Sequence, residues 1–445
     1  MGFAIGSIIL ALQAASPTGT APPPAMTAPA VAAAPQLAER VDGLVALLGG
    51  KGDFDALFAP SFRSAIPKAQ FDQLTAQIVA DLGKPTGIGS LEPASAWTAR
   101  LKIGFERGVL KAEVGIDPTA PHQITGLLFK GAEPLGGQAA TLDAVVEQLA
   151  TLPGQSGFAF ARLGEATSAP TASRAASTPI AIGSAFKLII LAELVRSIEA
   201  GERKWSDVVT LDGSALPGGG YAQQPKGTRI GLRALAERMI SVSDNSATDI
   251  LLFYLGRRKV EAMLPVVGFT DGGMRNVPFL GALELFKLKG VDDGALGNRY
   301  LSLATTDRRA FLDGAVRDTP IAAIPRALFQ DGRPLKITEL EWFASPNDLI
   351  RAMDWLRRHM EGPAGADLRS ILSKNPGIPD AAAHWRYIGY KGGSEPGVLT
   401  MAFLLQAKDG DWYALAAGVS NPAKDVDKLR FSGLMARALE LAAPR

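Results

Sequence analysis

Apolar residues recur at helical spacing through "QLAERVDGLVALLGG" (36–50) and "PKAQFDQLTAQIVADLG" (67–83), so helices are predicted across 36–82. Pro67 near the start of the second and Gly83 just past its end fit the residue preferences of helix termini. The pattern then changes to alternation. "AWTARLKIGFE" (96–106), "GVLKAEVGID" (108–117) and "QITGLLFKG" (123–131) predict antiparallel strands with one buried face. Helices followed by a small curled sheet make an α+β unit over 36–138.

A second pattern begins at "TLDAVVEQLATL" (141–152), a helix, and "SGFAFARLGE" (156–165), a strand. The stretch "AIGSAFKLIILAEL" (181–194) is apolar on every helical face and predicts a helix nearly surrounded by protein. The chain stays mainly helical to about residue 375 and then returns to strands: "HWRYIGYKGG" (384–393), "GVLTMAFLLQA" (397–407) and "DWYALAAGVS" (411–420). Lys408-Asp409-Gly410 forms a hairpin turn between the last two, and a final amphipathic helix covers 424–442. The fold class over 139–445 is therefore α+β, an antiparallel sheet flanked by helices with a helical subdomain.

Composition narrows the chemistry. With 445 residues, 47% apolar and 20% charged, the chain buries more than one core. A net charge of +2 with interspersed signs gives no field that would gather nucleic acid or an anionic membrane. There is no cysteine, hence no thiol nucleophile or thiolate metal site. His122, His359 and His384 stand in no ligand spacing, so neither a histidine zinc site nor a Ser-His-Asp triad is expected, and no cofactor is implied. Residues 1–35 combine the apolar run "FAIGSIILAL" with small residues and a Pro/Ala-rich spacer, which predicts an export signal and a periplasmic destination, although the first basic residue is Arg40. No later segment reaches 18 consecutive apolar residues, so no stable membrane span is expected.

Candidate chemistry starts with Ser184 and Lys187, which lie about one turn apart on one side of the apolar helix. A lysine in dry surroundings has its charged form disfavoured, and a neutral amine beside a hydroxyl is a base for it. Ser-x-x-Lys alone is weak, since about one chance match is expected in a chain this long. Two further stretches strengthen it: Ser243-Asp244-Asn245 between two helical patterns, and Lys391-Gly392-Gly393-Ser394 at the end of a strand. Taken singly, the first reads as a helix cap and the second as a glycine turn.

In this order and these settings, the three motifs resemble those of the penicillin-recognising serine hydrolases, the class A β-lactamase superfamily, over about 141–445. The resemblance implies a β-lactamase-like hydrolase acting on a small-molecule β-lactam or ester through an acyl-enzyme on Ser184. It implies that Lys187 accepts or relays the proton, that Ser243 passes a proton to the leaving group and that Asn245 touches the substrate's amide side chain. Lys391 would attract the substrate's carboxylate and tune Ser243; Gly393 and Ser394 would line the substrate; and the N–H groups of Ser184 and Ser394 would form the oxyanion hole. Asp244 would hold its loop.

Two departures are visible. Gly392 stands where the family carries a Thr or Ser hydroxyl, leaving Ser394 or Ser243 to take part of its carboxylate contact. The family's water-activating glutamate, in an E-x-x-L-N context, is missing from "RNVPFLGALELFKLKG" (275–290), whose only acid, Glu284, reads as a helix-surface residue beside Lys287 and Lys289. The two-domain layout looks like the cephalosporin-esterase-like subfamily, whose cone-like first domain is similar to ketosteroid isomerases and polyketide cyclases. That implies esterase or weak β-lactamase activity. The rival expectations are a cell-wall D,D-peptidase and a non-catalytic binding protein on the same fold.

Overall fold

The chain divides between Gly136 and Gly137 into two compact units. The computed structural model describes residues 32–134, 139–164 and 170–444; the predicted export signal lies outside them. In the first unit, α1 (Pro35–Leu48), α2 (Phe54–Leu57), α3 (Pro60–Ala65) and α4 (Lys68–Leu82) precede a four-stranded antiparallel meander. Its strands are β1 (Pro85–Pro93), β2 (Thr98–Phe105), β3 (Gly108–Ile116) and β4 (Ile124–Pro134). Leu37, Val41, Leu44 and Leu48 line the buried face of α1, and Leu101, Ile103 and Phe105 alternate inward on β2. β1 is a strand that the hydrophobic pattern does not announce. "PTGIGSLEP" lacks apolar alternation and is held by backbone pairing to β2, with register shifts at Pro85/Gly87 and Ile88/Ser90.

The second unit opens with α5 (Leu142–Ala150), β5 (Gln155–Leu163), β6 (Ala172–Arg174) and β7 (Ile180–Ala181). A 3-10 turn, Gly183–Phe186, then leads into α6 (Lys187–Glu199). The helical region continues through the short pair β8 (Val208–Thr210) and β9 (Arg229–Gly231) to α7 (Leu232–Ser241), α8 (Asn245–Leu255), α9 (Arg257–Val266), α10 (Ala282–Gly290), α11 (Ala295–Ser302) and α12 (Thr305–Phe311). After β10 (Phe343–Ala344), α13 (Pro346–Arg358) and α14 (Gly365–Ser373) come β11 (Tyr387–Glu395), β12 (Val398–Gln406), β13 (Trp412–Ser420) and α15 (Lys428–Ala442). The principal sheet is ordered β11-β12-β13-β5-β6. The strand contributed before the helical region thus pairs with the last one contributed after it, antiparallel and in register from Trp412↔Leu163 to Ser420↔Gln155.

Both faces of this sheet are covered, and its alternation sorts residues by size. Ala159, Ala161, Ala402, Ala414 and Ala416 face the core that holds α6, α7, α8 and α13. Phe158, Phe160, Leu399, Met401 and Phe403 face the core under α5 and α15. Small side chains let the first set of helices approach closely, while each large one on the other face contributes about 1.5–3 kcal/mol on burial. α6 is buried from Lys187 through Val195, as its all-round apolar pattern requires. The molecule is α+β, with its sheet edge, β11, lying against the turn that carries Ser184.

Candidate active site

Two glycines set the distance between Ser184 and the sheet edge. Gly183 has φ +47°, and a Cβ there would stand 2.9 Å from the Ser394 nitrogen. A Cβ on Gly393 would overlap the Ile182 carbonyl and come within 2.7 Å of the nitrogens of Ser184 and Ala185. Only glycine at both positions lets β11 pack directly on the 3-10 turn. The backbone of Ser184 is thereby brought against Gly393 and Ser394.

One turn on, Lys187 is fully buried. Its amine donates to the Ser243 carbonyl (2.7 Å), the Ser243 hydroxyl (3.1 Å) and Asn245 Oδ1 (2.7 Å). Among the described residues no hydrogen bond joins it to the Ser184 hydroxyl. Burial pulls its pKa down to about 7, opposed by the charges of Asp249 and Asp244. Lys391, 2% exposed on β11, donates to the same Ser243 hydroxyl at 3.1 Å and to the Gly392 carbonyl. Burial, and then the charge of Lys187, lower its pKa well below the usual lysine value. Ser243 Oγ therefore stands between two buried amines, both pushed toward their neutral forms.

The loop that presents Ser243 is strained and braced. Ser243 has φ +56°, in the left-handed region. Asp244 caps α8 through the Ala247 N–H (3.0 Å) and also accepts from Ser246 Oγ (2.6 Å), the Gly220 N–H (2.7 Å) and Arg238. Burial works against its charge, but these donors hold its pKa down to about 2. Asn245 follows as the first residue of α8 and turns Oδ1 to Lys187. The S-D-N triplet thus divides its work, with Asp244 holding the loop and Ser243 and Asn245 facing the lysine.

Glu284 is not the surface residue that its neighbours in sequence imply. It is 9% exposed at the start of α10, with both carboxylate oxygens on Arg257 (2.6 and 2.9 Å) and one also on the Gly281 N–H (2.7 Å). Lys287 and Lys289 are buried too, the first on the carbonyls of Val316 and Arg317, the second on Glu341 and Glu395. No five-residue stretch of 275–290 matches the E-x-x-L-N pattern.

The hydrophobic pattern also passes over Asp249, one turn after Asn245 on α8. It is 2% exposed and accepts from the Ala282 and Leu283 N–H groups (2.7 and 2.9 Å) at the start of α10. Burial raises its pKa to about 7 despite those bonds. Its i, i+4 spacing from Asn245 is the signal that could have found it. Among the described residues no group of His, Asp and Glu side chains comes together in a way that could hold a metal ion.

A family model described as the beta-lactamase enzyme family matches residues 139–440. Among solved structures, a beta-lactamase from Sphaerobacter thermophilus is similar at 19% identity and a TM-score of 0.47, covering 68% of this chain and 97% of its own. One from Chitinophaga pinensis has 17% identity and a TM-score of 0.45 over 67% of this chain and 96% of its own. PBP-A has 16% identity and a TM-score of 0.46 over 70% and 97%. A comparison with curated proteins returned no match.

Proposed function

The chain belongs to the beta-lactamase enzyme family, and from that premise we propose that it hydrolyses β-lactams or related esters through an acyl-enzyme on Ser184. The observation that carries this is the hydrogen-bonded relay Lys187–Ser243–Lys391 beside the Ser184 turn. The substrate carbonyl oxygen sits between the N–H groups of Ser184 and Ser394, donors that cost no reorganisation when the oxyanion forms. Ser184 Oγ bonds to the carbonyl carbon and gives its proton to the neutral amine of Lys187. As the tetrahedral intermediate collapses, the C–N bond of a lactam or the C–O bond of an ester breaks. A proton passes from Lys187 through Ser243 to the departing nitrogen or oxygen. Asn245 and Gly393 orient the acyl group, and Lys391 holds an anionic group of the substrate.

Deacylation adds water across the acyl-Ser184 bond. With Glu284 bound to Arg257 and both oxygens of Asp249 taken by backbone N–H groups, Lys187 is the base left to accept the water's proton. A β-lactam acyl-enzyme therefore turns over slowly and an ester is the better substrate. Within the family we place the chain with two-domain esterase-like members. The helices and four-stranded antiparallel sheet of the first unit support this, and export is part of the same reading. Steady-state assays with a chromogenic cephalosporin, an aryl acetate and a D-Ala-D-Ala peptide test it. Sustained ester turnover with a cephalosporin burst supports the proposal; cleavage of the peptide alone, or of none of them, overturns it.

A further inference from the structure

Gly392 lacks a side chain because another residue fills its place. A Cβ built there would overlap the hydroxyl of Tyr390 and stand 2.8 Å from the ring carbon that bears it. The two residues point the same way, being two apart on one strand. Tyr390 is 5% exposed, and its ring is held on both sides, by Phe403 with centroids 5.0 Å apart and by Gly377, where a Cβ would come within 2.6 Å. Phe403 and Gly377 packed against the ring limit its movement and so restrict where the hydroxyl stands.

That hydroxyl has no hydrogen-bond partner among the described residues. Nor is it one of the fully enclosed unpaired polar atoms, which among the described residues are Arg63 Nε, Arg203 Nε and Ser432 Oγ. A buried tyrosine ordinarily finds a partner for its O–H. Here the oxygen is unpaired without being fully enclosed, and it lies beside Gly392, whose carbonyl accepts from Lys391 Nζ. Burial raises the phenol's pKa, so it remains a neutral donor across the working pH range.

Resting on the hydrolase reading above, we propose that Tyr390 is a substrate-binding residue: its hydroxyl donates, together with Lys391, to the carboxylate of the substrate, in the space where the sequence lacks a hydroxyl at position 392. One unpaired donor and one amine arranged around Gly392 fit a planar anion with two acceptor oxygens. Ser394 and Ser243 are then not needed for that contact.

The test uses binding to the full-length Ser184→Ala protein, so that it does not depend on turnover. Calorimetry compares benzylpenicillin with its methyl ester, with and without Tyr390→Phe, which keeps the ring and removes only the oxygen. Tyr390→Phe should raise the penicillin Kd about ten-fold or more while leaving the ester Kd within two-fold. Equal weakening of both ligands, no change for either, or no binding of penicillin to the parent overturns the proposal. The hydrolase reading fails differently, through absence of acylation and turnover in the wild-type enzyme.

Discussion

The amine of Lys391 stands 3.1 Å from the hydroxyl of Ser243, and on its other side the same hydroxyl lies 3.1 Å from the amine of Lys187. Two cations cannot share so small a buried volume without strong repulsion, so the pair is driven toward a single charge or none. A neutral amine in this arrangement is a base, and the hydroxyl between the two is a path for its proton.

The acid limb of kcat/KM reports Lys187. Because the neutral amine is the active form and its pKa lies at about 7, activity falls as pH drops through 7. Lys187→Met should lose about a thousand-fold in acylation rate and flatten that limb. The folded pKa lies below the unfolded value, so the unfolded chain binds the extra proton and stability gains with pH between about 7 and 10.5. Thermal melts should show the Tm of the variant minus that of the wild type narrowing over that range; a constant difference contradicts the assignment.

Asp249→Asn removes the largest charge that raises the Lys187 pKa. The acid limb should move below pH 7. One of the two backbone N–H groups that Asp249 accepts will face an amide donor instead, at a cost of about 1–3 kcal/mol. A pH-rate profile that stays in place while the protein loses stability would assign Asp249 a purely structural role.

Glu284→Gln separates two readings of that carboxylate. Its hold on the partly buried Arg257 makes it structural, so the variant should lose about 2–3 kcal/mol of stability with a deacylation rate within two-fold of the wild type. Single-turnover release of a labelled acyl group measures the rate. A hundred-fold slower release identifies Glu284 as the water-activating base.

Lys289, fully buried, donates to Glu341 at 2.8 Å and also to Glu395. Burial, with Glu341 beside it, raises the Glu395 pKa well above the ordinary carboxylate value. This acid binds more protons folded than unfolded, so its contribution is lost as pH rises above the ordinary carboxylate range. Glu395→Gln should equal the wild type near pH 4 and exceed it in Tm at pH 8, and the opposite trend in a melting series would contradict the raised pKa of Glu395.

What was legible in the sequence follows from the range of the interactions. The buried α6 and its lysine could be read because apolar residues occupy every face of one continuous segment, and Ser243 and Lys391 because each lies in a short motif with a recognisable setting. Glu284 was misplaced because its partner, Arg257, is 27 residues away, and Lys289 because Glu341 and Glu395 lie 52 and 106 residues from it. Local neighbours made those side chains look like a solvated helix face. Strand β1 escaped because backbone pairing, with no apolar alternation, defines it. The overlap of Tyr390 with position 392 depends on how Gly377 and Phe403 confine a ring, which no spacing reveals.

The most direct test of the central claim is intact-protein mass spectrometry after brief incubation with benzylpenicillin, followed by peptide mapping. An adduct of one penicillin mass on Ser184 is expected in the wild type, absent from Ser184→Ala and formed far more slowly in Lys187→Met. A wild-type protein that stays unmodified, or an adduct on a residue other than Ser184, would contradict it.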